Sequence, residues 1–123
     1  MLKVGVVGCG HLGKIHAKLL SQSENYKLIG IYDKDNEESI RVSEEFKCIS
    51  FESFDSLLDS VDVIDIVAPT PFHFNYAKQA INKNKHVFIE KPVCTTAIES
   101  EELIKLGDLK NVKIQVGHVE RFN

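Results

Sequence analysis

Three glycines near the start of the chain, Gly8, Gly10 and Gly13, have the spacing G-x-G-x-x-G. They follow a short apolar segment and precede one with helical periodicity, so Gly8 would allow a sharp turn out of a strand. Gly10 has no Cβ atom to keep a phosphate from the backbone, and Gly13 would let the helix pack closely on the strand. Leu12 begins that helix, where free N–H groups and the helix dipole favour an anion, and His11 lies in the glycine loop just before it. The segment therefore predicts a pyrophosphate-binding turn in which these five residues contact a cofactor.

An acidic residue, Asp33, directly follows the second predicted strand. It lies 20 positions after Gly13, where dinucleotide-binding βαβ units carry a carboxylate for the adenosine ribose hydroxyls. A carboxylate accepts hydrogen bonds from both hydroxyls and repels a 2′-phosphate, so we expect NAD as the cofactor rather than NADP. The alternative is that Asp33 is only a turn or cap residue.

Lys91 is the ionisable residue with the clearest chemical potential. It follows an apolar strand and precedes Pro92, which restricts the Lys91 backbone to extended geometry. A lysine near the nicotinamide end of a cofactor donates a hydrogen bond to a substrate hydroxyl or carbonyl and stabilises negative charge on that oxygen. We therefore predict a catalytic role, as well as cofactor contact, for Lys91. The alternative is a solvated loop lysine paired with Glu90.

Polar residues at other predicted strand ends complete the candidate site. Pro69 and Thr70 follow the fourth predicted strand, His73 begins the next helix, and Glu90 ends the fifth strand. We expect all four to contact the cofactor, although His73 is also well placed to be a half-buried histidine with internal partners. The predicted buried face of the first helix consists of Leu12, Ile15, His16, Leu19 and Leu20. For His16 on this face, packing is favoured over ligand binding.

The cysteines and histidines do not have the spacing of a metal site, so we expect no metal. Cys9, Cys48 and Cys94 show no C-x-x-C pattern, which predicts free thiols in a reducing, cytoplasmic environment. Cys9 lies in the glycine turn, where packing of a small residue is the favoured explanation. The alternative is a thiol made more acidic by the nearby helix start.

The elements that must position these residues alternate between strand and helix. Strands are predicted at residues 2–7, 27–32, 48–51, 61–68, 86–89 and 112–116, and helices at 12–20, 39–46, 53–59, 72–82 and 96–106. This alternation predicts an α/β fold, a doubly wound parallel (Rossmann) sheet of about six strands in the order 3-2-1-4-5-6. Ligands bind at the carboxyl ends of such strands, and the candidate residues all lie there.

Composition restricts the possible partners. The 123 residues are 43% hydrophobic and 27% charged, which is ordinary for a globular protein, and we expect residues 1–123 to form a single domain. The net charge of −3 argues against a nucleic-acid or anionic-membrane partner. The sequence shows no apolar segment of membrane-spanning length and no signal peptide.

Three segments, 8–17, 69–73 and 85–92, resemble in their order and spacing the N-terminal domain of the Gfo/Idh/MocA oxidoreductase family. The family takes its name from glucose–fructose oxidoreductase, inositol dehydrogenase and a rhizopine-catabolism protein, and the resemblance extends over essentially all 123 residues. It implies a Rossmann fold that binds NAD or NADP, with Lys91 as the active-site lysine beside the nicotinamide and the substrate.

The resemblance also implies a class of reaction. It implies hydride transfer between a nicotinamide cofactor and a secondary alcohol of a sugar, nucleotide sugar or polyol. The ending, residues 117–123, resembles members that act on nucleotide sugars, such as UDP-N-acetylglucosamine 3-dehydrogenases.

Family members carry a second α/β domain that supplies most of the substrate pocket, a histidine and an aspartate of the active site, and the oligomer interface. We expect that domain to be absent here. We therefore expect the 123-residue chain to bind cofactor, to turn over little by itself, and to associate into homo-oligomers through an exposed apolar face.

Two other functional classes are compatible with the fold. One is a stand-alone nucleotide-binding or redox-sensing module without catalysis of its own. The other is a domain for a different nucleotide-type ligand, such as S-adenosylmethionine or coenzyme A. Asp33, Lys91 and the third glycine count against the latter.

Overall fold

The computed structural model describes residues 1–117, which form one six-stranded sheet with helices on both faces. The strands are β1 (Leu2–Val7), β2 (Tyr26–Tyr32), β3 (Ile49–Ser50), β4 (Val63–Ile66), β5 (His86–Glu90) and β6 (Ile114–Gly117). The helices are α1 (His11–Ser21), α2 (Asn36–Phe46), α3 (Phe54–Asp59), α4 (His73–Asn82) and α5 (Ala97–Lys110), with a 3₁₀ turn at Thr70–Phe72 before α4.

The strand order is β3-β2-β1-β4-β5-β6, and every neighbouring pair is parallel. This confirms the predicted doubly wound fold and its strand order. Because all six strands run in one direction, their carboxyl ends meet at one edge of the sheet. The order changes direction between β1 and β4, which opens a crevice at that edge.

The sheet is buried on both faces by two apolar clusters. On one face, helices α3, α4 and α5 pack on the sheet through Leu57, Ile81 and Leu103. On the other face, Ala17 of α1 and Val42 of α2 belong to the second cluster. Strands that are covered on both faces need apolar side chains on both of them, which explains why these strands are rich in β-branched residues.

Helix α1 packs on the sheet through a different stripe from the predicted one. Its buried residues are Gly13, His16, Ala17 and Leu20, whereas Leu12, predicted to be on the buried face, is 40% exposed. A Cβ atom on Gly13 would collide with the carbonyl oxygen of Gly8. The small residues Gly13 and Ala17 therefore let α1 lie close to β1. As a result, the buried face of the helix is shifted by about one residue from the predicted face.

Helix α5 is longer than predicted, because it continues through Gly107 to Lys110. A Cβ atom on Gly107 would lie 2.9 Å from Cδ1 of Ile114, so the glycine allows close packing on β6 rather than ending the helix. The helix ends at Asn111, which has left-handed backbone geometry with φ of 57°. In the part of the chain that the structure describes, no helix is long and apolar enough to cross a bilayer.

We predict that Gly13→Ala destabilises the fold. Alanine is the better helix former by about 1 kcal/mol, so a net loss can come only from the collision with Gly8. We expect the free energy of unfolding in urea to fall by about 1 to 2 kcal/mol. Gly10→Ala is the matched control in the same turn, since a Cβ atom there meets nothing within 4 Å. An equal or larger loss for the control would contradict the packing role of Gly13.

Candidate functional site

A cavity of about 340 Å³ opens where the strands end. It brings together residues from the glycine turn, the end of β2, the segment after β4 and the end of β5. Of the residues predicted to contact a cofactor, it is lined by all but Gly13, namely Gly8, Gly10, His11, Leu12, Asp33, Pro69, Thr70, His73, Glu90 and Lys91. Gly13 lies behind the lining, packed against Gly8.

The glycine turn has the geometry that its sequence predicts. Gly8 has φ of 112°, a conformation that residues with a Cβ rarely adopt, and its backbone lies against Val67 and Ala68 after β4. Gly10 precedes α1, and no atom lies within 4 Å of the position that its Cβ would occupy. The backbone at Gly10 is therefore accessible to a ligand.

The start of α1 differs from the starts of three other helices. Side chains of Asp35, Ser53 and Thr96 cap α2, α3 and α5 by accepting hydrogen bonds from backbone amides. Within residues 1–117, no side chain caps α1 and no acidic residue lies in its first turn. Its amide groups and its positive dipole end are therefore available to an anion in the cavity.

Asp33 fixes the turn between β2 and α2 to the glycine turn. Its Oδ2 accepts a hydrogen bond of 2.6 Å from the amide of Cys9, and its Oδ1 accepts one of 2.8 Å from the amide of Asp35. Each carboxylate oxygen has a second lone pair. The same carboxylate can therefore accept further hydrogen bonds from a ligand, and its orientation is already fixed.

A second cavity of about 330 Å³ adjoins the first, since both are lined by Gly8, Gly10 and Asp33. Its outer wall is apolar and includes Phe72. The ammonium group of Lys34 lies 3.6 Å from the centre of the Phe72 ring, in a cation–π contact. Together the two cavities form one crevice, with Asp33 near one end and Lys91 near the other.

Lys91 is exposed at the end of the crevice opposite Asp33. No ion pair involves its amine among the residues that the structure describes. The carboxylate of Glu90 instead contacts His16, so the alternative in which Glu90 pairs with Lys91 is wrong. The peptide bond between Lys91 and Pro92 is cis.

His73 connects two segments of the cavity wall and is only 3% exposed. Its Nε2 donates a hydrogen bond of 2.6 Å to the carbonyl oxygen of Ala68, after β4. Its Nδ1 lies 3.1 Å from the carbonyl oxygen of Pro92 and 3.0 Å from that of Val93, after β5. The internal partners that the sequence suggested for His73 are therefore present.

A buried ionic cluster lies directly behind the cavity. Nδ1 of His16 is 2.6 Å from Oδ2 of Asp65, and Nε2 of His16 is 3.0 Å from Oε1 of Glu90. The side chains of His16 and Asp65 are fully buried, and that of Glu90 is 12% exposed. Both ring nitrogens face carboxyl oxygens, an arrangement that favours the imidazolium form of His16.

Neighbouring charges determine how this cluster holds protons. Burial lowers the pKa of His16, but the hydrogen bond and charge of Asp65, together with Glu90, outweigh burial and raise the pKa above 6.5. Burial raises the pKa of Asp65, although the hydrogen bond and charge of His16 oppose this. Both directions have the same consequence: the pair holds its shared proton more tightly than the isolated groups would.

Sequence reasoning missed Asp65 altogether and assigned His16 only a packing role. The sequence context of each residue nevertheless indicated a buried contact between them. Asp65 is in the middle of the strand sequence Val-Ile-Asp-Ile, and a central parallel strand is buried on both faces, so this acid needs a buried partner. A histidine on the buried face of α1 is the obvious candidate, but only the packing of α1 on the sheet brings its side chain to Asp65 of β4 and Glu90 of β5.

The thiol of Cys9 is buried in the core. Burial and the nearby carboxylate of Asp33 raise its pKa to about 12. The alternative of an acidified thiol is therefore wrong, because burial and then the charge of Asp33 disfavour the thiolate. Cys9 packs as a small apolar residue in the core.

Two further regions bear on the sequence predictions. A cavity of about 300 Å³ lies against β4, β5 and β6, and it is lined by none of the predicted site residues. Within residues 1–117 there is no group of three or more His, Cys, Asp or Glu side chains that could hold a metal ion. The tail at 118–123, which carries most of the resemblance to enzymes of nucleotide sugars, lies outside the described residues.

The fold and the crevice define a dinucleotide-binding domain of the Rossmann class, and comparison with known proteins specifies it further. Residues 2–118 match the family described as "Oxidoreductase family, NAD-binding Rossmann fold". The chain therefore belongs to the Gfo/Idh/MocA family of oxidoreductases, and the matched part is its NAD-binding domain.

Several relatives act on sugars. The chain is 35% identical to the UDP-N-acetylglucosamine 3-dehydrogenase of Acidithiobacillus ferrooxidans over 99% of its own length and 38% of that protein. It is 30% identical to the glucose-6-phosphate 3-dehydrogenase of Bacillus subtilis over 99% of its length and 35% of that protein. The chain thus spans little more than a third of the length of these relatives.

Solved structures support the same family. The Acidithiobacillus ferrooxidans enzyme superposes with a TM-score of 0.91, covering 98% of this chain and 39% of that one. GenD2, from gentamicin A biosynthesis and solved in complex with NAD, is 25% identical and superposes with a TM-score of 0.90. The superposition covers 94% of this chain and 34% of GenD2.

We predict that the stability contributed by His16 depends on pH. The folded-state pKa of His16 is raised above 6.5, so this contribution is fully present below about pH 6.5 and is lost as pH rises through the folded-state pKa. We expect His16→Gln to reduce the free energy of unfolding by about 3 to 5 kcal/mol at pH 6. We expect the difference from the wild type to shrink as the pH is raised to 9.

Chemical unfolding at several pH values measures this difference. His11→Gln controls for loss of an imidazole outside the core, and it is expected to change the free energy of unfolding by less than about 0.5 kcal/mol. A His16→Gln penalty that stays constant or grows between pH 6 and pH 9 would show that the ring is not protonated in the folded state.

Proposed function

We propose that this chain binds a nicotinamide dinucleotide in the crevice at the carboxyl ends of its strands, with NAD preferred over NADP. We further propose that it serves hydride transfer to or from a secondary alcohol of a sugar, nucleotide sugar or polyol. The observation that carries the proposal is the shared crevice, whose walls contain both Asp33 and Lys91 together with the glycine turn.

The residues present fit the cofactor at both ends. The uncapped start of α1 and the open backbone at Gly10 suit a pyrophosphate. The fixed carboxylate of Asp33 suits the adenosine ribose hydroxyls, and its charge opposes a 2′-phosphate. His11, Leu12, Pro69 and Thr70 would form the remaining walls.

The roles of residues near the other end follow from their contacts. When bound, NAD supplies the carbon that accepts or returns the hydride. Lys91, whose amine has no ion pair within residues 1–117, would donate a hydrogen bond to the alcohol oxygen and stabilise the negative charge that develops there. Glu90 and His73 line the same wall, but their polar atoms already contact His16 and backbone carbonyls.

The names of the relatives support the proposed substrate class. The similar proteins are named for UDP-N-acetylglucosamine and glucose-6-phosphate, both of which are sugar derivatives with a secondary alcohol. GenD2 was solved with NAD. Other features of the protein remain predictions: a single domain over 1–123, a cytoplasmic location, homo-oligomers, and little turnover by the chain alone.

A redox-sensing function is disfavoured for the thiol nearest the crevice. Burial and the charge of Asp33 raise the pKa of Cys9 to about 12, so its thiolate is scarce at neutral pH.

We predict that the chain binds NADH more tightly than NADPH in fluorescence titrations. In Asp33→Asn the charge that opposes the 2′-phosphate is removed, so we expect the ratio of NADH to NADPH affinity to fall roughly tenfold. Asp35→Asn is the matched control: it also removes one carboxylate charge near the crevice, and asparagine caps α2 as well as aspartate does. An unchanged ratio in Asp33→Asn, or an equal fall in the control, would contradict the role of Asp33.

We predict that NADH shields the amine of Lys91 from acetylation. The rates at single lysines can be followed by peptide mass spectrometry with acetic anhydride. We expect NADH to slow Lys91 roughly tenfold, a factor typical of a hydrogen bond to a charged group. Lys105, which is exposed on α5, is the internal reference. ADP-ribose, which lacks nicotinamide, should protect Lys91 much less; equal protection would remove Lys91 from the nicotinamide end.

A further inference from the structure

We propose that His16 and His73 are positioning residues that hold the turn at residues 90–92 from both sides and thereby set the position of Lys91. The inference rests on the proposed function, in which the Lys91 amine lies at the nicotinamide end of the crevice. Neither histidine needs to touch cofactor or substrate for this role, because each acts through a neighbour of Lys91.

His16 holds the residue before Lys91. Its Nε2 donates to Oε1 of Glu90 at 3.0 Å, while its Nδ1 donates to the buried carboxylate of Asp65 at 2.6 Å. The imidazole is fully buried and also meets the ring of Phe88 edge-on, with ring centres 6.3 Å apart. Three contacts from two neighbouring strands, β4 and β5, therefore fix the ring, and the ring in turn fixes the side chain of Glu90.

His73 holds the residues after Lys91. The carbonyl oxygens of Pro92 and Val93 lie 3.1 Å and 3.0 Å from its Nδ1, and that of Ala68 lies 2.6 Å from its Nε2. Carbonyl oxygens only accept, so the ring nitrogens are the donors in these contacts. The segment after β5 is thus connected, through one ring that is 3% exposed, to the segment after β4. A movement of the 90–92 turn would break contacts at both histidines.

The amine of Lys91 gives a reason for such a support. The residue is exposed, and its amine is carried on a flexible four-carbon chain. No ion pair within residues 1–117 restrains that amine. Only the backbone at Lys91 can therefore be fixed in advance. Catalytic groups must be held to within about half an ångström, which buried partners of neighbouring residues provide.

The two histidines also connect Lys91 to the proposed phosphate and ribose contacts. His16 lies on α1, whose start follows Gly10, and His73 begins α4, directly after the 3₁₀ turn that contains Thr70. Each ring therefore fixes the 90–92 turn against an element that also borders the crevice. Lys91 is placed relative to the cofactor and not merely relative to its own strand.

The test compares two ligands in wild type, His16→Gln and His73→Gln. NADH protection of Lys91 from acetylation reports on the nicotinamide end, and the affinity for ADP-ribose, measured by calorimetry, reports on the rest of the crevice. In both variants we expect NADH protection of Lys91 to fall from roughly tenfold to less than about twofold. We expect the affinity for ADP-ribose to stay within about threefold of wild type.

The matched control is His86→Gln. His86 begins β5, at the end of the strand opposite to Lys91, and its Nδ1 accepts a hydrogen bond from the amide of Lys113. Its replacement should leave the protection of Lys91 unchanged.

A second pair of variants decides the question if His16→Gln does not fold. Glu90→Gln keeps an oxygen that can accept from His16, whereas Glu90→Ala removes it. We therefore expect Glu90→Gln to retain protection of Lys91 and Glu90→Ala to lose it, again with ADP-ribose affinity preserved.

The outcomes separate this inference from the proposed function. If NADH fails to protect Lys91 in the wild type, the proposed role of Lys91 is wrong, whatever the variants do. If NADH protects Lys91 equally in wild type and in the folded histidine variants, the proposed function stands and the positioning role is wrong. A parallel loss of ADP-ribose affinity would show that the histidines support the fold as a whole, which also overturns the positioning role.

Discussion

The parallel direction of all six strands is the constraint on which the rest of the structure depends. Each strand must be followed by a crossover that returns the chain to the same starting edge, so helices cover both faces and every strand end meets at one edge. The reversal of strand order between β1 and β4 separates the segments that follow these strands. The crevice and the convergence of distant residues upon it are consequences of that topology.

Because the central strands are buried on both faces, a charged side chain on one of them costs free energy unless it has a buried partner. Asp65 lies on a central strand and is fully buried, and one of its oxygens, Oδ1, has no hydrogen-bond partner within residues 1–117. The imidazolium of His16 compensates the charge at the other oxygen and reaches Glu90 with its second nitrogen. Breaking a buried pair costs more than an exposed one, so this cluster joins the stability of the core to the geometry of the site.

Predictions from the sequence were most accurate where a local rule applies. The glycine spacing and the position of Asp33 identify the crevice because turns, helix starts and strand ends depend on neighbouring residues. They were less accurate where an element packs against a partner distant in sequence. The buried face of α1 follows from contact between Gly13 and Gly8, the length of α5 from contact between Gly107 and Ile114, and the pKa of Cys9 from its burial beside Asp33.

The sequence by itself determined the class of fold, the strand order and the residues at the strand ends, because hydrophobic periodicity and glycine spacing are local and the handedness of crossovers leaves few topologies. It did not determine which charged groups meet. That His16 joins Asp65 to Glu90, and that Glu90 is therefore unavailable to Lys91, was decided only by the tertiary structure. These contacts join α1 to β4 and β5, and the distance between such groups is set by packing of the whole sheet rather than by separation along the chain.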